Sequence, residues 1–289
     1  MADRSPQALT SPGQPVQQCQ EIFVRQLGGA VHELAGSKPN IHGARKQLKR
    51  ARATLRLLRS AVGDELYRRE NIAARDAARP LSKARDEEVL SQALEGLVDR
   101  FGPIAADPVL RHNAREMPAK QLDDIKAALE RSMTRARAWD LDADADWDCI
   151  EQGLHSTYRR ARHALRRGRK SRATEDLHEW RKQTKYLWHQ LQLLVPLAPG
   201  TIGERADEFH RLSDYLGDEH DLAVLRERAS GKLTDLVDRR REELQDKAFA
   251  LGERLYADKS KRFVHGLQKQ WADWPRKRGP RHLTAISAP

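Results

Sequence analysis

One basic helical segment occurs twice in this chain, and the duplication limits the folds available to it. His42-x-x-Arg45-Lys46-Gln47-x-Lys49 returns as His178-x-x-Arg181-Lys182-Gln183-x-Lys185, an offset of 136 residues (178 − 42). A second echo follows each copy: Ala84-Arg85-Asp86-Glu87-Glu88-Val89-Leu90 matches Glu219-His220-Asp221-Leu222-Ala223-Val224-Leu225 at an offset of 135 (219 − 84). Two echoes at nearly one offset indicate a duplicated unit of about half the chain.

The pattern around the repeats is helical. Charged residues make up 33% of the 289 residues, and leucine and alanine recur at helical spacing with few β-branched residues between them. That balance predicts an all-α fold. Residues 16–35, 41–62, 64–100 and 119–139 read as helices of a first half, with Asn40 as an N-cap, an end near Gly63 and an end or kink at Pro80. Gly102-Pro103 and Asp107-Pro108 mark a loop. In the second half, helices are expected over about 147–168, from a Thr174 or Ser171 cap to Val195, over 202–229 with a bend at Gly217, and over 232–272. Four helices per half predict two pseudo-symmetric four-helix bundles forming one helical domain. The organisation expected is a disordered tail over 1–15, a first half over 16–139, an acidic linker over 140–148, a second half over 149–274 and a basic disordered tail over 275–289.

Charge is concentrated rather than spread. Residues 41–59 hold seven Lys/Arg and no acid, and residues 155–172 hold eight and no acid. Removing those fifteen from 53 leaves 38 basic against 42 acidic residues, a net of −4 where the whole chain has +11. The chain is a mildly acidic body with basic stripes, which attract polyanions as an even scatter of charge does not. On a helical wheel, Ile41, Ala44, Leu48, Ala51, Leu55 and Leu58 form the core stripe of the first repeated helix. His42, Arg45, Lys49, Arg52, Arg56 and Arg59 lie beside it, widened by Lys46 and Arg50. In the second copy Leu177, Trp180, Leu187, Leu191 and Leu194 face the core, with His178, Arg181, Lys182, Lys185 and His189 alongside. A third stripe, His155, Arg159, Arg162, Arg166 and Arg169, lies on the preceding helix. The three stripes are expected to share a groove more positive on its second-half side. Like charges at three- and four-residue spacing cost each helix a few tenths of a kcal/mol per pair (~0.2–0.5). Repeating that cost in both halves points to an anionic ligand.

Other chemistry finds less support. Neither His42 nor His178 has a carboxylate or second histidine three or four residues on within its stripe, as a metal site on one helix needs. Asp140, Asp142, Asp144, Asp146, Asp148 and Glu151 fit EF-hand positions, but Ala145 stands where the loop requires Gly; an acidic linker at a helix start is the better reading. Cys19 and Cys149 form neither a disulfide framework nor a zinc quartet, which suits a reducing compartment. No signal peptide is visible in the Pro/Ser/Gln-rich start, and no run of about 18 apolar residues predicts a membrane span. A cytoplasmic location is expected.

The His-x-x-Arg-Lys-x-x-Lys helices, the Arg85-Asp86 and His220-Asp221 segments and Leu212-x-x-x-Leu216-Gly217 resemble the CHAD family, the histidine-containing α-helical domains, over about residues 16–274. The resemblance implies paired four-helix bundles whose basic surface binds inorganic polyphosphate. It assigns phosphate contacts to His42, Arg45, Lys46, Lys49, Arg52 and Arg56, to His178, Arg181, Lys182 and Lys185, and to Tyr158 and Arg162. With the adjacent stripe residues Arg50, Arg159, Arg166 and His189, these make the candidate polyphosphate site. The second copy departs from the first by having Tyr186, Trp188 and His189 where the first continues with Arg50, Arg52 and Ala53. The function expected is binding without catalysis, with no cofactor or metal and a possible association with polyphosphate granules. The alternatives are single-strand nucleic-acid binding, which usually interleaves aromatics with the basic residues, and a metal-dependent phosphohydrolase, which needs carboxylates at the phosphate.

Overall fold

Apolar residues at three- and four-residue steps fold as helices along the chain in the computed structural model. The structure describes residues 7–11, 13–83, 86–102, 117–142 and 144–274, with backbone alone at 83 and 86–89. Among the described residues there are ten α-helices and no strand. They are α1 (Pro15–Glu33), α2 (Ile41–Leu57), α3 (Arg59–Lys83), α4 (Asp86–Phe101), α5 (Ala119–Arg137), α6 (Trp147–Ser171), α7 (Thr174–Leu194), α8 (Pro199–Arg226), α9 (Lys232–Leu255) and α10 (Ser260–Asp273). The all-α class holds. The 102–108 loop reading falls mostly on 103–116, outside the described residues, as do the 275–289 tail and the Arg85 and Asp86 side chains.

Local chemistry sets the helix ends. Asn40 caps α2 as expected, its side chain accepting from Gly43 N at 2.9 Å. Gly43 lets the Glu33 carboxylate approach, because a Cβ there would stand 2.5 Å from it. The break after α2 comes at Gly63, whose φ of 77° and ψ of 163° interrupt the helical run; Pro80 lies inside α3. Neither Thr174 nor Ser171 caps α7 directly. Ser171 Oγ instead accepts from Ala173 N and donates to Asp176 at 2.7 Å. α8 runs unbroken through Gly217. In the acidic linker Asp142 accepts from Asp144 N at 2.9 Å, and Asp148 sits in the first turn of α6, where the helix dipole favours it.

Three expectations change. Residues 7–11 are tied down rather than loose: Leu9 is buried, and its N–H donates to Leu193 O at 3.0 Å. The last helix is two helices, broken at 256–259. α6 satisfies the carbonyls freed by that break: the Tyr158 hydroxyl is shared between Leu255 O and Asp258 O, and Arg162 Nε donates to Tyr256 O at 2.8 Å. Finally, α4 packs on α8 and α9 of the other half. Leu90 and Leu97 join Leu222, Leu225, Leu233, Val237 and Leu244 in a second small core, so the helices do not sort four and four by sequence order.

The main core is continuous across the halves. α2 packs on α3, α6 and α7, so the first repeated helix touches the second. Gln190 Nε2 donates to Ala53 O at 3.1 Å across that join. At Gly153 of α6 the helices come closest, since a Cβ there would lie 2.4 Å from Leu57 O and 2.6 Å from Leu57 Cα. Among the described residues, each half also buries one carboxylate. Glu70 of α3 takes two bonds from Arg135 of α5 at 2.8 Å and one from Ser132. Glu219 of α8 takes bonds from Arg241 and Gln245 of α9. Burial alone would raise the Glu70 pKa, but bonds from Arg135, Ser132 and Arg69 hold it below the usual range.

Two predictions follow from this packing. Gly153→Ala meets backbone that cannot yield and should cost about 1–3 kcal/mol. Gly203→Ala meets nothing closer than Val195 at 4.0 Å and should gain about 0.5–1 kcal/mol from helix propensity. Denaturant titration compares the two, and equal stabilities would contradict the close α2–α6 approach. Arg135→Ala leaves Glu70 buried with a weaker set of donors and should cost about 3 kcal/mol, at the low end for a broken buried pair because Arg69 and Ser132 remain. A thermal shift no larger than that of an exposed Arg131→Ala control would contradict this.

Candidate anion groove

Both copies of the repeat contribute to one groove. His42, Arg45, Lys46 and Lys49 of α2 face Arg181 and Lys185 of α7 across a cavity of about 430 Å³, with α8 and Gln92 of α4 completing its walls. The α2–α7 contact brings the two basic helices together, and α8 packs on α7. Arg181 lies over Gly217 of α8, its Nε and Nη2 3.7 Å from where a Cβ would stand.

The wall from α8 is the part the sequence reading missed. His210, Asp214, Gly217, Asp218, His220 and Asp221 line the groove opposite the basic residues. Their spacing of three and four residues on one helix is a readable signal, but the sequence reading takes Leu212-x-x-x-Leu216-Gly217 and His220-Asp221 only as repeat or family motifs. The acids put the charge balance the other way round from expectation. Counted by half, the groove lining is more positive on its first-half side: Arg45, Lys46 and Lys49 of α2 stand against Arg181 and Lys185 together with Asp214, Asp218 and Asp221 of α8. Burial raises the Asp218 pKa, and Asp221 and Asp214 add to that; Arg240 and Arg181 oppose it.

Histidines gather here too. His220 lines the groove, and the ring of His178, outside that lining, lies 4.6 Å from it. Burial lowers the His220 pKa to about 4, with Arg181, His178 and Arg241 adding repulsion. Burial against the protein, then Arg181 and Lys182, lower that of His178 as well. His220 is therefore neutral at pH 7 in the free protein. His189 is buried at the groove wall and held far below its ordinary value by burial, then Lys185 and Arg50.

Several expected site residues lie elsewhere. Tyr158 is buried, stacked on Phe263 with centroids 4.1 Å apart, and serves the α9–α10 corner together with Arg162. The rest of the third stripe borders the same region: His155 bonds Ser260 at 2.9 Å, and Arg169 pairs with Glu253. Arg166 is exposed on α6, and Arg159 lines an open cavity with Arg160, His163 and Arg167. The third stripe does not line the groove: His155, Tyr158, Arg162 and Arg169 meet α9, α10 or the turn between them, and Arg159 and Arg166 are exposed. Arg52 bonds Asn71 at 3.3 Å, and Arg56 lies 3.8 Å from the centroid of Tyr186. Arg50 faces a cavity with Gln26 and Gln192. Lys182 is paired with Glu179 and is not in the groove lining.

Among the described residues no three His, Cys, Asp or Glu side chains stand close enough to hold a metal ion, and no helix is long and apolar enough to cross a membrane. Comparison with curated proteins and with solved structures finds no match. A family model described as CHAD domain matches residues 24–230, more than half of the chain and both copies of the basic helix. The chain belongs to the CHAD domain family.

Proposed function

We propose that this protein binds inorganic polyphosphate in the groove between α2, α7 and α8, without catalysing its cleavage. The observation that carries this reading is the convergence of His42, Arg45, Lys46 and Lys49 with Arg181 and Lys185 on one cavity. A polyphosphate chain offers closely spaced anionic oxygens and no bases, so arginine forks and lysine ammonium groups suffice to recognise it. Trp188, the aromatic ring of the groove wall, is buried and already stacked on His189 and on His210. That favours polyphosphate over single-stranded nucleic acid, whose binders keep open rings for base stacking. The α8 aspartates repel an anion on one side of the groove, which makes the α2 edge the stronger track for phosphate.

Titration with polyphosphates of defined length tests the reading. Arg45→Ala/Lys49→Ala should weaken binding by about 2–4 kcal/mol, given about 1.5–3 kcal/mol for each charged hydrogen bond and partial replacement by neighbours. Arg181→Ala/Lys185→Ala should weaken it less. Each cation removed should also flatten the salt dependence by about 0.7 in log–log slope, by analogy with single strands. Wild-type affinity in both double variants would refute the site, a preference for single-stranded DNA or RNA at physiological salt would favour the other polyanion, and sustained phosphate release with Mg²⁺ or Mn²⁺ would refute the non-catalytic reading.

The histidines give the groove a pH dependence. A bound polyanion offers an acceptor to His220, which lines the groove, and offsets Arg181, which lowers both rings, so both pKa values rise from their lowered positions. Binding between about pH 4 and the ordinary 6.5 should therefore take up protons and tighten as pH falls. The free protein should behave oppositely. Unfolded histidine takes its proton near pH 6.5 while folded His220 waits until about 4, so stability present above 6.5 is lost as pH falls through that window. Calorimetry at pH 5.5 in two buffers of different ionisation enthalpy measures the uptake, and identical heats in both would contradict it.

A further inference from the structure

A second cavity of about 260 Å³ lies between α2, α3, α6 and α7, and shares no residue with the groove lining. Its size is just under the roughly 300–1,000 Å³ of sites for drug-sized ligands, which suits a small molecule. Three guanidinium groups line it, those of Arg56, Arg59 and Arg160, against the single carboxylate of Asp64. Asp64 is paired with Arg59 at 2.8 Å, which leaves two positive charges in excess.

The cavity also holds an acceptor with no donor. Gln183 of α7 is 6% exposed and lines it. Its Nε2 donates to Glu179 at 2.7 Å, while its Oε1 is buried with no hydrogen-bond partner. Arg56 is similar: Nη1 donates to Arg52 O at 2.9 Å, and its buried Nε has no partner. A buried donor and a buried acceptor left unsatisfied beside excess positive charge call for one ligand that is anionic and also carries an O–H.

We propose that this cavity is a second site, independent of the polyphosphate groove, for a small phosphate ligand that carries an O–H: hydrogenphosphate, which has it on a phosphate oxygen, or a hydroxylated phosphate monoester, which has it on the alcohol part. The anionic oxygens accept from Arg56 and Arg160, and the ligand O–H donates to Gln183 Oε1. Arg59 stays with Asp64 and sets the edge of the site. Sulfate has the same shape and charge but no O–H at neutral pH, so the orphan acceptor is a means of telling the two apart.

Calorimetric titration of the full chain at fixed ionic strength, with inorganic phosphate, glycerol 3-phosphate and sulfate as probes, tests this. Phosphate or glycerol 3-phosphate should bind saturably at least tenfold tighter than sulfate, and whichever is tighter identifies the free ion or the ester as ligand. Arg160→Ala, on the exposed face of α6, should weaken that binding about tenfold and leave polyphosphate affinity unchanged. Gln183→Met should bring phosphate and sulfate to equal affinity. Arg45→Ala/Lys49→Ala should weaken polyphosphate alone, so failure of the groove reading and failure of this one are distinguishable. Equal binding of phosphate and sulfate by the unmodified protein, no saturable binding of either phosphate probe, or an Arg160→Ala variant that binds as before would each overturn the proposal.

Discussion

The packing of α2 against α6 and α7 is the constraint on which the rest of the molecule depends. It is tight enough that only glycine fits at position 153, beside the Leu57 backbone, and it is pinned by the bond from Gln190 to Ala53 O. This join makes one core from two halves, and it also forces two basic helices together. Cations so placed repel one another, and the protein meets that cost in three ways. Three α8 aspartates line the groove with the cations, burial holds His189 and His220 neutral at pH 7, and Arg52 and Arg56 turn onto the face of Tyr186.

Outside the join, side chains that look alike in sequence do opposite work. Arg45 and Arg162 both belong to arginine-rich helical stripes, yet one faces an open groove and the other satisfies the carbonyl left free where α9 gives way to α10. Tyr158 likewise spends its hydroxyl on that corner. A break between two helices leaves backbone acceptors that must be met, and α6 meets them with its charged face. The stripe that looked like surplus positive charge is in part a structural clamp.

Family membership and groove geometry reinforce each other without being the same observation. The family match covers both copies of the basic helix. The groove explains why both copies are needed, since neither helix alone encloses a cavity. Under the proposed polyphosphate reading, the α8 aspartates make the anion track asymmetric and His220 couples occupancy to proton uptake.

Much of this was legible in the sequence. Periodicity gave the helices, Asn40 gave a cap, and the duplicated His-x-x-Arg-Lys-x-x-Lys gave six of the groove residues, because a helix face depends on spacing that the sequence records directly. The split of the last helix, the anchoring of Leu9 and the placement of α4 on α8 and α9 were not legible, because each is decided by a partner far away in the chain. The direction of the charge asymmetry failed for the same reason: a wheel shows which residues share a face of α6 but not that α9 and α10 cover part of it. Which residues are cationic, and at what spacing, is a property of the chain itself. Which of those cations meet each other and which are spent on carbonyls or carboxylates is set by helix packing, because electrostatic and hydrogen-bond energies depend on distances that only the folded state defines.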